Sequence, residues 1–161
     1  MLLAIDPGRS NKGDKSIGYA LFYSNGRELE RGSLRYAELS ERLDLSEGCP
    51  RPLLYFGYET IDEVVIEDFV NNAQSRGGQT NGTSECIGMV EFVCFKAGVP
   101  FTRQRPAILS VAKLHAGYEQ KLKHLPHQDS AYLHGYYYLV SKGLQPRGLA
   151  DTIWHETSNL L

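Results

Sequence analysis

Only three cysteines (Cys49, Cys86 and Cys94) occur in 161 residues, an odd number without CxxC spacing. That argues against a disulfide framework and against a cysteine-based structural zinc site. A reducing cytoplasm is the expected compartment. No apolar run approaches the roughly 20 residues that cross a bilayer. Asp6 interrupts the opening before the apolar core of a secretion signal can form, so no membrane association is expected. Internal repeats are missing too, which removes repeat arrays and collagen-like fibres. What is present, 42% hydrophobic and 22% charged residues, matches an ordinary globular chain. One domain over 1–161 is expected, with 143–161 as a loose C-terminal tail.

Net charge is also nearly absent, at −2, but the average hides an asymmetry. Residues 1–95 carry 9 Lys/Arg against 15 Asp/Glu, whereas residues 96–147 carry 8 Lys/Arg against only Glu119 and Asp129. An acidic half beside a basic half suits a metal-holding pocket next to a polyanion-binding surface. Chance fluctuation along a chain produces similar blocks.

The hydrophobic pattern reads as an α/β chain. Leu2-Leu3-Ala4-Ile5 is a nearly continuous apolar run, as in a strand buried on both faces, and it stops at the turn residues Asp6-Pro7-Gly8. After a polar loop, Ile17 to Tyr23 forms a second strand, and Asn25-Gly26 marks a hairpin into a third near 30–35. Residues 37–46 show helical spacing of leucines and end at the Gly48-to-Pro52 breakers. Val64-Val65-Ile66 is the most β-branched apolar run and reads as a central strand ending at Glu67-Asp68. The 71–82 stretch is a polar, Gly-rich surface loop. Helices follow near 84–97, 107–117 and 126–142, with a strand at 99–102 and with Gly98 and Gly143 as helix stops. The order implies a mixed sheet flanked by helices.

Three acids stand out. Asp6 ends a buried strand, Glu67 ends the strongest strand, and Asp129 begins the last helix. Strands ending side by side would bring Asp6 and Glu67 to one sheet edge, and a helix across that edge would add Asp129. Carboxylates plus water and substrate phosphate make a typical Mg²⁺ or Mn²⁺ site. Each acid also has a plainer use. Asp6 suits the turn at Pro7-Gly8, strand alternation lets only one of Glu67 and Asp68 face a common site, and Asp129 suits the helix dipole.

Taken together, the motifs resemble RuvC-type Holliday-junction resolvases, which are ribonuclease H-like nucleases. Leu3-Ala4-Ile5-Asp6-Pro7-Gly8 followed by Ile17-Gly18-Tyr19-Ala20-Leu21 resembles the family's first two strands. Val64-Val65-Ile66-Glu67-Asp68-Phe69 resembles its fourth strand, and Ala97-Gly98-Val99-Pro100 with Arg105-Pro106 its next strand and following helix. Asp129-Ser130-Ala131 resembles the start of the helix bearing its final aspartate. The resemblance covers about residues 1–142. It implies a mixed five-stranded sheet flanked by helices, in an Mg²⁺-dependent endonuclease that resolves four-way DNA junctions by paired symmetric nicks. Asp6, Glu67 and Asp129 would hold two Mg²⁺ ions, with Mn²⁺ able to substitute, and the products would carry 5′-phosphate and 3′-hydroxyl ends. A homodimer in the cytoplasm of a bacterial or phage-infected cell is expected. The alternatives are a nuclease of the same fold acting on RNA or other branched DNA, and a non-catalytic DNA-binding relative.

Three departures accompany the likeness. The Gly8-to-Gly18 spacing is five residues longer than the family's, and the Pro106-to-Asp129 span is shorter, as in a compact bacteriophage variant. The family places an Asp or His three residues before its last Asp, where this chain has Pro126. The neighbouring His127 is a further metal-ligand candidate. Two helical residues two apart point about 200° from each other, so His127 joins Asp129 only from a non-helical lead-in. Candidate phosphate contacts are Lys12, Lys15, Arg76, Arg103, Arg105, Lys113, Lys121 and Lys123. The Tyr132, Tyr136, Tyr137 and Tyr138 cluster reads as core, with base stacking as the alternative.

Overall fold

The computed structural model describes residues 1–8, 15–46, 51–68, 80–117, 125–144 and 146. In chain order the elements are β1 (Leu2–Asp6), β2 (Ile17–Phe22), β3 (Glu28–Leu34), α1 (Tyr36–Arg42), β4 (Leu43–Leu45), β5 (Leu54–Phe56), β6 (Glu59–Ile61), β7 (Glu63–Glu67), α2 (Thr80–Ala97), β8 (Phe101–Gln104), α3 (Ile108–His115) and α4 (His127–Ser141). Five strands form a mixed sheet in the order β3-β2-β1-β7-β8. β1 and β3 run antiparallel to β2, while β7 and β8 run parallel to β1.

Side-chain alternation sorts this sheet into two faces. Leu3, Ile5, Tyr19, Leu21, Val64 and Ile66 pack on one side against Cys86, Ile87, Val90 and Cys94 of α2. Leu2, Ala4, Ala20, Phe22 and Val65 pack on the other against α3 and α4. β1 is buried at every position because both faces are covered, which is why its sequence is a continuous apolar run. α4 is buried on nearly all sides, between the sheet and α3. Tyr132, Tyr136 and Tyr138 lie in that core, which agrees with the packing reading of the tyrosine cluster.

The helix expected over 37–46 stops at Arg42. Leu43–Leu45 instead pairs antiparallel with Leu54–Phe56, which pairs with Glu59–Ile61 in a second, three-stranded sheet that the pattern did not suggest. This small sheet packs Leu43, Leu54, Phe56 and Ile61 into the α2-side core. α2 begins at Thr80, inside the stretch expected to be loop, and β8 lies two residues later than the expected strand. α2 and α4 stop at Gly98 and Gly143 as expected, both with positive φ. No described helix is long and apolar enough to cross a membrane.

Candidate active site

Asp6 shares its face of β1 with Leu2 and Ala4, and Glu67 shares its face of β7 with Val65, so both carboxylates project toward α4. Ile5 pairs with Ile66, which places Asp6 and Glu67 at successive positions on two adjacent parallel strands. Continuing across the sheet, Gly18 pairs with Asp6, Ser33 with Gly18, and Gln104 with Glu67. The row Ser33, Gly18, Asp6, Glu67, Gln104 therefore crosses all five strands. The carboxyl ends of parallel strands are where open α/β sheets bind ligands.

α4 lies across this row and meets each member. Gln128 Oε1 accepts from Ser33 Oγ at 3.2 Å, and His127 Nδ1 is 3.1 Å from Asp6 Oδ2. Ser130 Oγ donates to Glu67 Oε2 at 3.2 Å. His134 reaches Gln104 and Glu67. At Gly18 the approach is so close that a Cβ would sit 2.0 Å from the His127 carbonyl oxygen. At Gly135 a Cβ would sit 2.3 Å from Phe22 Cε2. These two glycines let the helix rest directly on β1 and β2.

Asp6 is 6% exposed, and its other oxygen, Oδ1, accepts the Gly8 N–H at 2.8 Å. The turn-capping use of this aspartate is thus real, and it fixes the carboxylate rather than competing with a site. Gly8 has φ +54 and would bring a Cβ to 1.8 Å from the Ser16 carbonyl oxygen, so only glycine fits this turn. Thr83 of α2 donates to the Gly8 carbonyl at 2.7 Å and ties the turn to the helix. The carboxylates open onto a cavity of about 260 Å³ lined also by Asp68, His127 and Ser130, with Leu109 and Leu125 as apolar walls.

Asp129, expected to complete this group, lies on another face of α4. Its Oδ1 pairs with Arg31 Nη1 on β3 at 3.2 Å, and Asp129 is not among the cavity's lining residues. Arg31 also pairs with Glu28 at 3.1 Å and stacks its guanidinium over Tyr132. Burial pushes the Glu28 carboxyl up, Arg31 pulls it down and Asp129 pushes it up. The reason is helical phase. His127 is the first residue of α4, and with His127 over Asp6, Asp129 is turned by about 200°. The residues that face the strand ends are His127, Ser130 and His134, at i, i+3 and i+7. The i, i+3 pair on the cavity is therefore His127 and Ser130, one register later than Pro126 and Asp129.

Sequence reasoning missed Ser130, His134 and Gln104. The available signal was two histidines seven apart with a serine between them, on a helix otherwise apolar along that face. Among the expected phosphate contacts, Lys15 and Arg105 are exposed and Lys113 is half-buried. Arg103 is engaged within the chain, with Glu91 at 2.5 Å and Asp68 at 3.7 Å. Lys12, Arg76, Lys121, Lys123 and residues 147–161 lie outside the described residues.

Among the described residues, no three His, Cys, Asp or Glu side chains converge as a ready cation cage. The donors at the cavity nevertheless suit a hard cation, because Mg²⁺ commonly takes one or two carboxylates and completes its shell with water and phosphate oxygens. Asp6 and Glu67 supply those carboxylates, and His127 adds a nitrogen.

Neither a family model nor a curated protein matches the chain. Solved structures do. The chain is similar to Thermus thermophilus RuvC in complex with a Holliday junction substrate, with a TM-score of 0.53 and 14% identity over 88% of this chain and 95% of that one. It is likewise similar to a second Thermus thermophilus RuvC structure, with a TM-score of 0.50 and 18% identity over 88% of this chain and 96% of that one. The fold is therefore α/β and ribonuclease H-like, with the expected mixed five-stranded sheet.

Proposed function

We propose that this chain is a metal-dependent endonuclease acting on branched DNA, and that it resolves four-way junctions by paired symmetric nicks. The observation that carries this reading is the placement of Asp6 and Glu67 side by side at the ends of two parallel strands, on a cavity roofed by His127 and Ser130. The likeness to a RuvC structure holding a Holliday junction supports the substrate class.

Asp6, Glu67 and His127 are the residues that would hold Mg²⁺ or Mn²⁺, in place of the set with Asp129. When bound, the cation supplies the charge that acidifies an attacking water and stabilises the leaving 3′ oxygen. The chain's own contribution is orientation. The Gly8 N–H and His127 Nδ1 fix the two oxygens of Asp6, and the Ser130 hydroxyl fixes Glu67. Leu109 and Leu125 exclude water from one side of the cavity. Lys15, Arg105 and Lys113 are proposed phosphate contacts that position the DNA without reading its sequence.

A second copy of this chain is the proposed protein partner, since two nicks related by a twofold axis need two centres. The exposed Phe92 and Phe95 face of α2 supports that assembly.

Incubating the protein with labelled four-way, flap and linear DNA and with RNA, in Mg²⁺, Mn²⁺ or EDTA, tests the reading. Junction cleavage that needs the cation and leaves 5′-phosphate ends is expected. Asp6→Asn and Glu67→Gln should each abolish cleavage while junction binding survives. Wild-type turnover by either variant would remove the metal-site assignment, and cleavage of RNA alone would replace the substrate.

A further inference from the structure

His134 is fully buried in the middle of α4, at a position packed among Ala131, Leu133 and neighbouring core residues where an apolar side chain would suffice. Its Nδ1 lies 2.9 Å from Gln104 Oε1, and its Nε2 lies 3.4 Å from Glu67 Oε2 with no hydrogen-bond partner made. A polar nitrogen buried in this way needs a physical reason.

Glu67 provides one. An unprotonated Nε2 would set its lone pair against the carboxylate, so the compatible states all carry the hydrogen on Nε2. In the neutral ring, Nδ1 then accepts from the Gln104 carboxamide, which exchanges its oxygen and nitrogen by a half-turn with little change in shape. In the charged ring, Nδ1 donates to the carboxamide oxygen. Either way a donor faces Glu67 Oε2, the same oxygen that receives the Ser130 hydroxyl. The Ser130 hydroxyl thus bonds this oxygen while His134 Nε2 faces it at 3.4 Å, so both contacts converge on Oε2 of the carboxylate. The backbone pairing of Glu67 with Gln104 keeps both ends of this chain of contacts in register.

We infer that His134, backed by Gln104, is a positioning residue that orients the Glu67 carboxylate for cation binding. This rests on the reading of Glu67 as a cation ligand. Removal of supporting outer-shell partners of metal ligands typically weakens metal affinity by about 10–100-fold.

The test compares wild type, Glu67→Gln, His134→Leu and His134→Gln by Mn²⁺ titration calorimetry without DNA, by single-turnover junction cleavage across a Mg²⁺ series, and by thermal melting. His134→Leu should weaken Mn²⁺ by about 10–100-fold and move the Mg²⁺ dependence of cleavage to higher concentration. His134→Gln, whose amide nitrogen reaches the place of Nε2, should recover most of both. Gln104→Met provides a second probe that leaves α4 intact, and it should weaken Mn²⁺ in the same direction by a smaller factor. Unchanged Mn²⁺ affinity in His134→Leu or Gln104→Met overturns the inference, as does equal impairment of His134→Leu and His134→Gln, which would mark a packing role. Those outcomes differ from failure of the underlying reading, in which wild type itself binds no Mn²⁺ or Glu67→Gln binds and cleaves normally.

Discussion

Gly18→Ala is the substitution that most directly tests how the site is assembled. Gly18 pairs with Asp6 and lies under the first turn of α4. An added Cβ would stand 2.0 Å from the His127 carbonyl oxygen and 2.6 Å from Gln128 N, whereas ordinary contact begins near 3.4 Å. Those neighbours are backbone atoms, so no side-chain rotation relieves the overlap. α4 must lift by about 1.4 Å at this end, or β2 must sink by as much. Overpacking of this kind costs about 1–3 kcal/mol. At about 2–4 °C per kcal/mol for a chain of this size, the melting temperature should fall by about 2–12 °C. The larger effect is on geometry, because the lift takes His127 away from Asp6 and the cavity roof with it. A misplacement of about 1 Å can cost about 100-fold in rate. Calorimetry and single-turnover junction cleavage, run at a temperature where the variant is fully folded, separate the two effects. A variant with the melting temperature and rate of wild type would refute the argument that close helix–sheet contact at Gly18 builds the site.

Asp129→Asn should remove the charge that faces Arg31 on β3, lowering stability by about 1–3 kcal/mol in denaturant titrations while cleavage stays within a few-fold of wild type; complete loss of cleavage would return Asp129 to the cation site. Burial pushes the Cys86 and Cys94 thiols up to about 12. Since free thiols ionise near pH 8.5, the unfolded chain loses these protons first, so stability should fall as pH rises from about 8.5 toward 12. For the well-buried Cys86 the slope is up to about 1.4 kcal/mol per pH unit. Denaturant titrations from pH 7 to 10.5 check the sign, and iodoacetamide at pH 8 should label both thiols only after unfolding. Replacing Arg105 and Lys113 by Ala should flatten the salt dependence of junction binding, by about 0.9 in log–log slope for each phosphate no longer neutralised; an unchanged slope would take both off the DNA surface.

Local pattern was enough for the main sheet and for the position of Asp6 and Glu67 at its strand ends. β1 and β7 read correctly because both faces of each strand are covered, leaving uninterrupted apolar runs that stop at Asp6 and Glu67. The turn at Pro7-Gly8, the hairpin at Asn25-Gly26 and the helix stops at Gly98 and Gly143 are likewise properties of a few adjacent residues. The small sheet is different. Leu39 and Leu43 have helical spacing, and only pairing with Leu54–Phe56 makes Leu43–Leu45 a strand.

The last helix shows the division most clearly. Its existence is legible in the sequence, but which of its polar residues faces the strand ends depends on its rotation about its own axis. That rotation is decided by the close approaches at Gly18 and Gly135 and by the Arg31–Asp129 ion pair, all made with residues distant in sequence. Asp129 is drawn to the guanidinium on β3, which leaves His127, Ser130 and His134 over the row of strand ends. The pairing of Gln104 with His134 joins residues thirty apart that only the parallel alignment of β7 with β8 brings together. Periodicity specifies that a helix has faces; tertiary packing chooses the one that meets the sheet.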